Sequence, residues 1–544
     1  MRARAAALAP LLAAAAGLSL LGAHPPLAWW PLSFLAPALF VGALWVDRLA
    51  ADEDQRRVRG ARLGALMGAV AFGPMLSWLI LPAGFVGWGL LVAVQMAWTA
   101  LLGALLVPLL DWRSFPILAA ISWTGIDAWR AIVPLNGFEW GAIAYAHADG
   151  SWLLPLARLT GGRGITLLVV LIGVALAAVV RSGFGAVRTR DGVPVEDALR
   201  VTNLPVAFLV GGLLVSVLAT IEPPAEDGQL EILAVQGNDR RHWEDPAPDP
   251  NPPLRITTAL KSETLAAVER DGAPDLTVWP ESSIDRDPYR GSSALRPLAD
   301  EAARAAGTLL TGVSLDGPDV GSERQIGALL LQDGFDEIDR YVKRRLVPFG
   351  EYIPARRWLD WFPPLAQIPR DARPGVGPQT IVLPGGERIA TIICFETKFQ
   401  DIVRDNVLGD GDEPAQILIT LTNDASFGDS GEPAQHLAQS RLRAVETGRW
   451  VVHAALTGSS AFIAPDGTTA QETDVFTIDS IRAQVPLVRG LTPYLVVGDV
   501  VGWLSRIGVL AAFGFVVATW SRRRRQAGGR ARESVGVEAP ADGR

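Results

Sequence analysis

Long apolar segments constrain this chain more than any other feature of its sequence. Eight of them are about 20 residues long, which is enough to cross the hydrocarbon core of a bilayer as a helix. They lie near residues 4–22, 27–46, 61–81, 86–110, 115–133, 163–182, 202–221 and 494–520. Apolar residues make up 49% of the chain and charged residues only 19%, an excess that a water-soluble core would not hide. The sequence therefore predicts a multi-pass membrane protein.

Two of these segments allow a second interpretation. The first follows "MRAR" and is rich in alanine, a pattern that is also typical of a cleaved signal peptide. A retained helix is favoured, because the next apolar segment follows after only the short turn "GAHPPLAWWPL". The fifth segment is the weakest candidate, since Asp127 and Arg130 interrupt it.

Arginines in the short loops predict the orientation of the chain. They cluster after the second, sixth and eighth apolar segments, at Arg48, Arg56, Arg57, Arg59, Arg62, Arg181, Arg188, Arg190, Arg200 and residues 522–525. Loops rich in arginine and lysine stay on the cytoplasmic side of a membrane. Both termini are therefore expected to be cytoplasmic, and the long segment between the seventh and eighth helices is expected outside, together with the loop 130–162.

These observations divide the chain into four parts. We expect a membrane domain of seven helices at 1–222, an extracytoplasmic domain at 223–490, a C-terminal transmembrane helix at 491–520, and a basic, disordered cytoplasmic tail at 521–544. The outer segment alternates short apolar runs with amphipathic helices such as 432–449, which is typical of an α/β domain. Its predicted strands are 230–237, 275–281, 307–315, 326–332, 387–396, 415–424 and 450–458.

Three residues at the ends of predicted strands or just beyond them have the chemistry of a nucleophilic site. Cys394 is the only cysteine in 544 residues, and Lys343 is one of only three lysines among 49 basic residues. A thiol becomes a strong nucleophile as thiolate, which an ammonium group stabilises and a carboxylate such as that of Glu281 can generate. Taken singly, each has a duller explanation: a small buried hydrophobe, one member of the run "KRR", and a solvated loop carboxylate.

Other classes of site find little support in the sequence. The five histidines, His24, His147, His242, His436 and His453, lie far apart, and with a single cysteine no zinc or iron–sulfur ligand spacing is present. We therefore predict no metal. The one arginine cluster follows an apolar segment and is not interleaved with aromatic residues, so no nucleic-acid partner is expected.

The motifs around the three residues resemble those of a known family. "VWPESS", "KRRLVPFGEY" and "CFE", in this order, are similar to the Glu–Lys–Cys signature of the nitrilase superfamily. "AVQGN" at 234–238, "NDASFGDS" at 423–430, "QHLAQSRLRAVETGR" at 435–449 and "NGFEW" at 136–140 narrow the resemblance to the apolipoprotein N-acyltransferases. The resemblance implies a nitrilase-like αββα sandwich between transmembrane helices.

The resemblance also implies a two-step reaction at the outer face of a bacterial inner membrane, without a cofactor. Cys394 would take an acyl chain from a phospholipid, typically phosphatidylethanolamine, and pass it to the α-amino group of diacylglyceryl-cysteine in an apolipoprotein. Glu281 would be the general base and acid, and Lys343 the oxyanion stabiliser. The residues expected to support the site are Glu351 and Glu396, and those expected to contact substrate are Trp243, Asn423 and Ser426.

Three positions depart from the family pattern, and two other functions stay open. Ser426 stands where tryptophan is usual, Leu456 where asparagine is usual, and Glu139 where proline is common. We expect the loss of the tryptophan ring to loosen selectivity for the acyl donor. A membrane-bound amidase or nitrilase would use the same three residues with water as acceptor, whereas a non-catalytic lipoprotein-binding protein would be expected to have lost them.

Overall fold

The computed structural model describes residues 2–50, 55–188, 226–239, 251–290, 293–359, 368–411 and 413–535, together with residues 52, 211 and 365. The predicted apolar segment 202–221 lies outside the described residues, apart from residue 211.

Long helices form at the seven other apolar segments. They are α1 (Arg2–Ala23), α2 (Leu32–Arg48), α3 (Arg56–Met75), α4 (Ile80–Leu106), α5 (Phe115–Arg130), α7 (Gly162–Arg188) and α14 (Val500–Val535), with the short α6 (Ala157–Thr160) before α7. Four stretches among the described residues combine the length and the apolar character needed to span a bilayer: Ala3–Ala23, Ser77–Leu109, Gly162–Arg181 and Val500–Ala518. Eight crossings and the outward placement of the long domain stay predictions.

Small residues let these helices approach one another closely. A Cβ atom on Gly64 of α3 would lie 2.1 Å from the Thr99 carbonyl oxygen of α4. A Cβ atom on Gly125 of α5 would lie 2.4 Å from the Ser505 carbonyl oxygen of α14. Because backbone contact of this kind requires glycine, these positions fix how α3 packs on α4 and how the last long helix packs on the fifth.

The segment between the helices folds as two β-sheets. Its strands are β1 (Glu226–Gln236), β2 (Leu276–Ile284), β3 (Thr308–Asp316), β4 (Glu323–Gln332), β5 (Asp336–Val342), β6 (Asp371–Ala372), β7 (Thr380–Val382), β8 (Arg388–Ile393), β9 (Ile417–Thr422), β10 (Val451–Ala455), β11 (Ala461–Ile463), β12 (Thr469–Glu472) and β13 (Asp479–Val488). The first sheet has the order β13-β1-β2-β3-β4-β5, with β6 paired to β4. The second has the order β12-β11-β10-β9-β8-β7.

Helices cover the outer face of each sheet. They include α8 (Pro252–Asp271) and α9 (Leu295–Ala306) on the first sheet and α11 (Gln400–Leu408) and α12 (Glu432–Thr447) on the second, while α10 (Arg356–Leu359) and α13 (Pro493–Val497) are single turns. Buried side chains of both sheets, among them Ile232, Leu330, Ile419 and Phe462, form one apolar cluster between them. Two further clusters join the helices to their sheets. The α/β domain is therefore the expected αββα sandwich.

The structure differs from the sequence-based expectation at two boundaries. The strand predicted over 387–396 ends at Ile393, and Cys394 begins a 3₁₀ turn, because its backbone adopts a left-handed conformation with φ of 48°. The tail predicted to be disordered from 521 is helical to Val535, since arginine and alanine are strong helix formers that extend α14. Residues 536–544 lie outside the described part of the chain.

Candidate active site

The three predicted catalytic side chains meet where strands of the two sheets end. Glu281 lies in an irregular stretch of β2, Lys343 directly follows β5, and Cys394 directly follows β8. The pairing of β2 with β3 shifts register between Trp279 and Ile284, which displaces Glu281 from the regular ladder. A Cβ atom on the facing Gly312 would lie 2.7 Å from the Glu281 Cα atom, so glycine makes room for this bulge.

Lys343 is the centre of the site. Its side chain is fully buried, and its Nζ atom donates a hydrogen bond to Glu281 Oε1 over 3.1 Å and another to Glu351 Oε1. The other carboxylate oxygen of Glu351 accepts from the Val347 backbone N–H over 2.9 Å. Glu351, expected to support the site, therefore holds the lysine and the loop that follows it.

The charges of this group depend on one another. Burial alone would lower the pKa of Lys343, but the Glu281 and Glu351 carboxylates raise it well above its ordinary value, so the lysine is a permanent cation. Burial raises the pKa of Glu281, an effect that Lys343 opposes and the negative charge of Glu351 reinforces. Glu281 is thus a stronger proton acceptor than an exposed glutamate.

The Cys394 thiol lies close to the Glu281 carboxylate and to the Thr422 hydroxyl. The residue keeps some exposed surface, but the enclosed surroundings of its thiol raise its pKa well above the ordinary value, and the Glu281 charge adds to this effect while Lys343 opposes it. The thiol is therefore neutral at rest, and a nucleophilic reaction of its sulfur requires a base to take the proton.

Glu396 fixes the nucleophile turn, the 3₁₀ turn Cys394–Lys398 that begins with the candidate nucleophile. Its Oε1 atom accepts from the backbone N–H groups of Arg344 and Arg345 over 2.7 and 2.9 Å. Its Oε2 atom accepts from the Tyr341 hydroxyl over 2.9 Å and from the Ile393 N–H over 3.0 Å. One buried carboxylate thus joins the end of β5 to the end of β8. Glu396 does not pair with the nearby Lys398, whose Nζ atom has no hydrogen-bond partner among the described residues.

Lys398 is instead enclosed by aromatic rings. Its Nζ atom lies 3.2, 4.1 and 4.7 Å from the ring centroids of Phe395, Phe138 and Phe399. The side chain is fully buried and its Nζ atom has no hydrogen-bond partner among the described residues, and burial lowers its pKa well below the ordinary value. Since Phe138 belongs to the "NGFEW" loop, Lys398 links the nucleophile turn to the residues before α7.

The residues expected to contact substrate occupy the loop after β9 or lie outside the described part of the chain. Asn423 Oδ1 accepts from the Ala425 N–H over 3.1 Å, a bond that shapes the turn, and Ser426 is partly exposed in the same turn. Trp243 lies outside the described residues. Of the departures from the family pattern, Leu456 is fully buried in an apolar cluster, and Glu139 pairs with Arg163 over 2.9 Å.

Sequence reasoning missed a buried polar cluster beneath the nucleophile turn. Asp424, His436 and His453 offer ligand atoms within 4.8 Å of one another, close enough to hold a metal ion, although the histidines are separated in sequence. Hydrogen bonds within the protein already engage Asp424 Oδ1, both His436 nitrogens and His453 Nδ1. The motifs "NDASFGDS" and "QHLAQSRLRAVETGR" contain Asp424 and His436 and were the available signal.

The geometry brings together the parts needed for nucleophilic acyl chemistry. A thiol, a carboxylate able to take its proton, and an ammonium group lie in one enclosed site, with a second carboxylate holding the ammonium group in place. The ammonium group can stabilise negative charge that develops on a carbonyl oxygen.

Two protein families match this chain. The "Apolipoprotein N-acyltransferase N-terminal domain" matches residues 16–175, and the "Carbon-nitrogen hydrolase" domain matches residues 247–490. A crystal structure of an amidase from Nesterenkonia sp. is 20% identical, covers 51% of this chain and 95% of that chain, and superposes with a TM-score of 0.34.

Curated relatives match over most of the chain. The apolipoprotein N-acyltransferase of Mycolicibacterium smegmatis is 30% identical over 515 residues, which span 91% of this chain and 82% of the relative. The proteins of the same name from Geobacter metallireducens and Vibrio cholerae are 29% and 28% identical, and cover 84% and 95% of this chain and 87% and 97% of their own lengths. The chain belongs to the apolipoprotein N-acyltransferase family.

Proposed function

We propose that this protein transfers an acyl chain from a membrane phospholipid, through a thioester on Cys394, to the α-amino group of diacylglyceryl-cysteine in apolipoproteins. Membership of the family supports the reaction. The observation that carries the assignment of residues is the fully buried Lys343, which binds Glu281 and Glu351 beside the single thiol.

In the first step, the Cys394 sulfur attacks the ester carbonyl carbon of the phospholipid while Glu281 takes the thiol proton. Lys343 stabilises the oxyanion of the tetrahedral intermediate. As the intermediate collapses, the bond between the carbonyl carbon and the ester oxygen breaks, and Glu281 returns the proton to that oxygen. A lysophospholipid leaves, and the acyl chain stays on sulfur as a thioester.

In the second step, the α-amino group of the acceptor attacks the thioester carbonyl carbon, and Glu281 takes a proton from the amine. The carbon–sulfur bond breaks, the amide forms, and the sulfur recovers its proton from Glu281. One site serves both substrates in turn, so the kinetics should be ping-pong. Because both substrates keep their acyl chains in a bilayer, apolar helices beside the α/β domain suit this reaction.

We further propose the finer assignments that the sequence predicts. The donor is phosphatidylethanolamine, the α/β domain faces the periplasm of a bacterial inner membrane, and both termini are cytoplasmic. Asn423, Ser426 and Trp243 contact substrate. The distribution of arginines among the loops and the similarity of the motifs are what support these proposals.

The deciding experiment is intact mass spectrometry of the detergent-purified protein with and without phosphatidylethanolamine, beside Cys394→Ala, followed by a diacylated lipopeptide. We expect an acyl-sized mass on the parent that is absent from the variant and moves to the peptide amine. Transfer to water in the presence of the peptide would instead establish the amidase-type hydrolase. If no adduct forms on the parent, a non-catalytic lipoprotein-binding role would replace the proposal.

A further inference from the structure

His436 of helix α12 binds the backbone of the candidate nucleophile, Cys394. His436 Nε2 lies 3.2 Å from the carbonyl oxygen of Cys394, and the His436 side chain is almost completely buried. A carbonyl oxygen only accepts hydrogen bonds, so His436 Nε2 carries a proton and donates it. The bond acts on the residue whose φ of 48° lies in the left-handed region that a side chain disfavours.

The other ring nitrogen faces a carboxylate. His436 Nδ1 lies 3.1 Å from Asp424 Oδ1, which also accepts from the Thr422 hydroxyl over 2.9 Å. The Thr422 hydroxyl oxygen also lies 3.2 Å from His436 Nδ1, so the ring nitrogen, the carboxylate and the hydroxyl contact one another. Burial raises the pKa of Asp424, but the net direction is downward because His436 and Thr422 stabilise its charged form. Asp424 and Thr422 together therefore fix the Nδ1 side of the His436 ring.

Two further titratable groups, Glu432 and His453, lie beside the ring. Glu432, on the same helix, has an oxygen 3.8 Å from His436 Nδ1, and burial together with the Asp424 charge raises its pKa well above the ordinary value. His453 on β10 lies with its ring centroid 5.3 Å away, and burial lowers its pKa to about 3, so that it is neutral. Its Nδ1 atom bonds the Ser440 hydroxyl over 2.9 Å.

The residue before His436 ties the same helix turn to the long N-terminal helices. Gln435 Oε1 accepts from the indole N–H groups of Trp140 and Trp78, over 2.5 and 3.3 Å. Gln435 Nε2 donates to the carbonyl oxygens of Pro25 and Met75, over 3.2 and 3.3 Å. The donor that holds Cys394 thus stands on a turn whose position is fixed from outside the α/β domain.

We propose that His436, bound between Asp424 and the Cys394 carbonyl oxygen, is a positioning residue that holds the nucleophile turn in its reactive conformation. The proposal rests on the proposed acyl transfer for its benefit to catalysis. Its geometric content concerns the reactivity of the thiol itself, and this can be measured without either lipid substrate.

Two variants distinguish the contact of Nε2 with Cys394 from the contact of Nδ1 with Asp424. His436→Gln places an amide N–H close to the position of Nε2 and keeps a donor for Cys394. His436→Asn places its amide close to Nδ1 and keeps a donor for Asp424 only. The readouts are the rate at which iodoacetamide alkylates Cys394, followed by intact mass because the chain has one thiol, and the rate of thioester formation from phosphatidylethanolamine.

We expect His436→Asn to slow alkylation and thioester formation about 10-fold or more, because one hydrogen bond is lost. His436→Gln keeps that bond and should retain most of the parent's rates. The midpoint of thermal unfolding in detergent should fall similarly in the two variants, which separates positioning from general stability. Asp424→Asn, which keeps the volume but removes the charge, should give intermediate rates and is an independent arm if a His436 variant fails to fold.

Three results would overturn the proposal. They are equal rates in the Gln and Asn variants, unchanged rates in Asp424→Asn, and one equivalent of a transition metal on the purified parent that His436→Gln loses. If alkylation follows the expected order but no thioester forms on the parent, the proposed function fails while the positioning role stands.

Discussion

At the scale of single residues, the site depends on one buried cation between two carboxylates. Lys343 was predicted from the rarity of lysine in this chain and from its motif. Its partners Glu281 and Glu351 were predicted from the motifs "VWPESS" and "KRRLVPFGEY". Its enclosure could not be predicted from sequence, because it depends on strands of one sheet ending against the other. His436 escaped prediction because its Nε2 atom binds a backbone carbonyl oxygen, which leaves no mark on residue type, and Asp424 because it acts through His436.

Replacing Lys343 should damage stability as well as activity. Lys343→Met leaves Glu281 and Glu351 facing one another without a cation, and breaking a buried pair in this way costs about 3–5 kcal/mol of unfolding free energy. Denaturant unfolding in detergent at neutral pH measures the loss. Lys261→Met is the matched control, because Lys261 pairs with Glu301 over 3.0 Å at the surface, where about 1 kcal/mol or less is expected. Equal losses of unfolding free energy in the two variants would contradict the role of Lys343 as a buried cation that stabilises the fold.

The acid limb of the pH profile for thioester formation should lie above the ordinary pKa of glutamate. Glu281 must be unprotonated to take the thiol proton, and burial together with Glu351 raises its pKa, so the rate of thioester formation falls as pH drops through that raised value. The apparent pKa of this limb describes Glu281, Lys343 and Glu351 together, because the three charges interact. Glu351→Gln removes a negative charge and should move the limb to lower pH. An unshifted or raised limb in that variant would show that Glu351 does not act on Glu281.

Ser426 offers a test of donor selection. We expect Ser426→Trp to narrow the range of headgroups and acyl chains accepted, because an indole ring would fill space in the partly exposed turn after β9. The measurement compares rates of thioester formation across phospholipids of different headgroup and chain length. Identical profiles for the variant and the parent would remove Ser426 from the list of substrate contacts.

At the scale of elements, long apolar strands could be predicted, whereas very short strands and edge strands with many polar residues could not. The seven predicted strands correspond to β1, β2, β3, β4, β8, β9 and β10, which are rich in buried apolar residues. The edge strands β5 and β13 of the first sheet were missed, because "DEIDRYV" is largely polar and polar residues interrupt the first half of "DSIRAQVPLV". The strands β6, β7, β11 and β12 were missed because none is longer than four residues. The loss matters for the site, since Lys343 directly follows β5.

Glu396 should prove essential to the joint between the two sheets. Glu396→Gln replaces one acceptor oxygen by a donor that faces backbone N–H groups, so we expect the unfolding free energy to fall by about 3 kcal/mol. Denaturant unfolding in detergent measures the change, with Glu472→Gln on the exposed strand β12 as control. A loss no larger than in the control would mean that the turn does not depend on this carboxylate.

At the scale of the whole molecule, buried polar contacts join the α/β domain to the long helices. Glu446 accepts from the Gly162 N–H over 2.7 Å, and the Tyr145 hydroxyl donates to the Lys398 carbonyl oxygen over 3.1 Å. Arg163 binds both Glu139 and Asp499, so the start of α7 is tied to the segment leading into α14. The loop 130–162, expected on the same side of the membrane as the α/β domain, thus contacts that domain through Tyr145 and Gly162.

The orientation predicted from the arginines is open to a direct test. In a Cys394→Ala background, Glu269→Cys and Asp52→Cys each place one thiol at an exposed position, on the α/β domain and between α2 and α3. A membrane-impermeant maleimide should label Glu269→Cys in spheroplasts and Asp52→Cys only after lysis. Labelling of both, or the reverse order, would refute the proposed periplasmic domain and cytoplasmic loops.

The four hydrogen bonds of Gln435 have a consequence for how the protein is made. They join residues separated by 410, 360, 357 and 295 positions, so the ribosome has released the early helices long before their partner exists. Contacts between such distant parts of a chain form late in folding. The site can therefore mature only after the whole α/β domain has been made and has docked against the long helices. Until then the thiol lacks the hydrogen bonds that support it, and the unfinished chain cannot act on lipid.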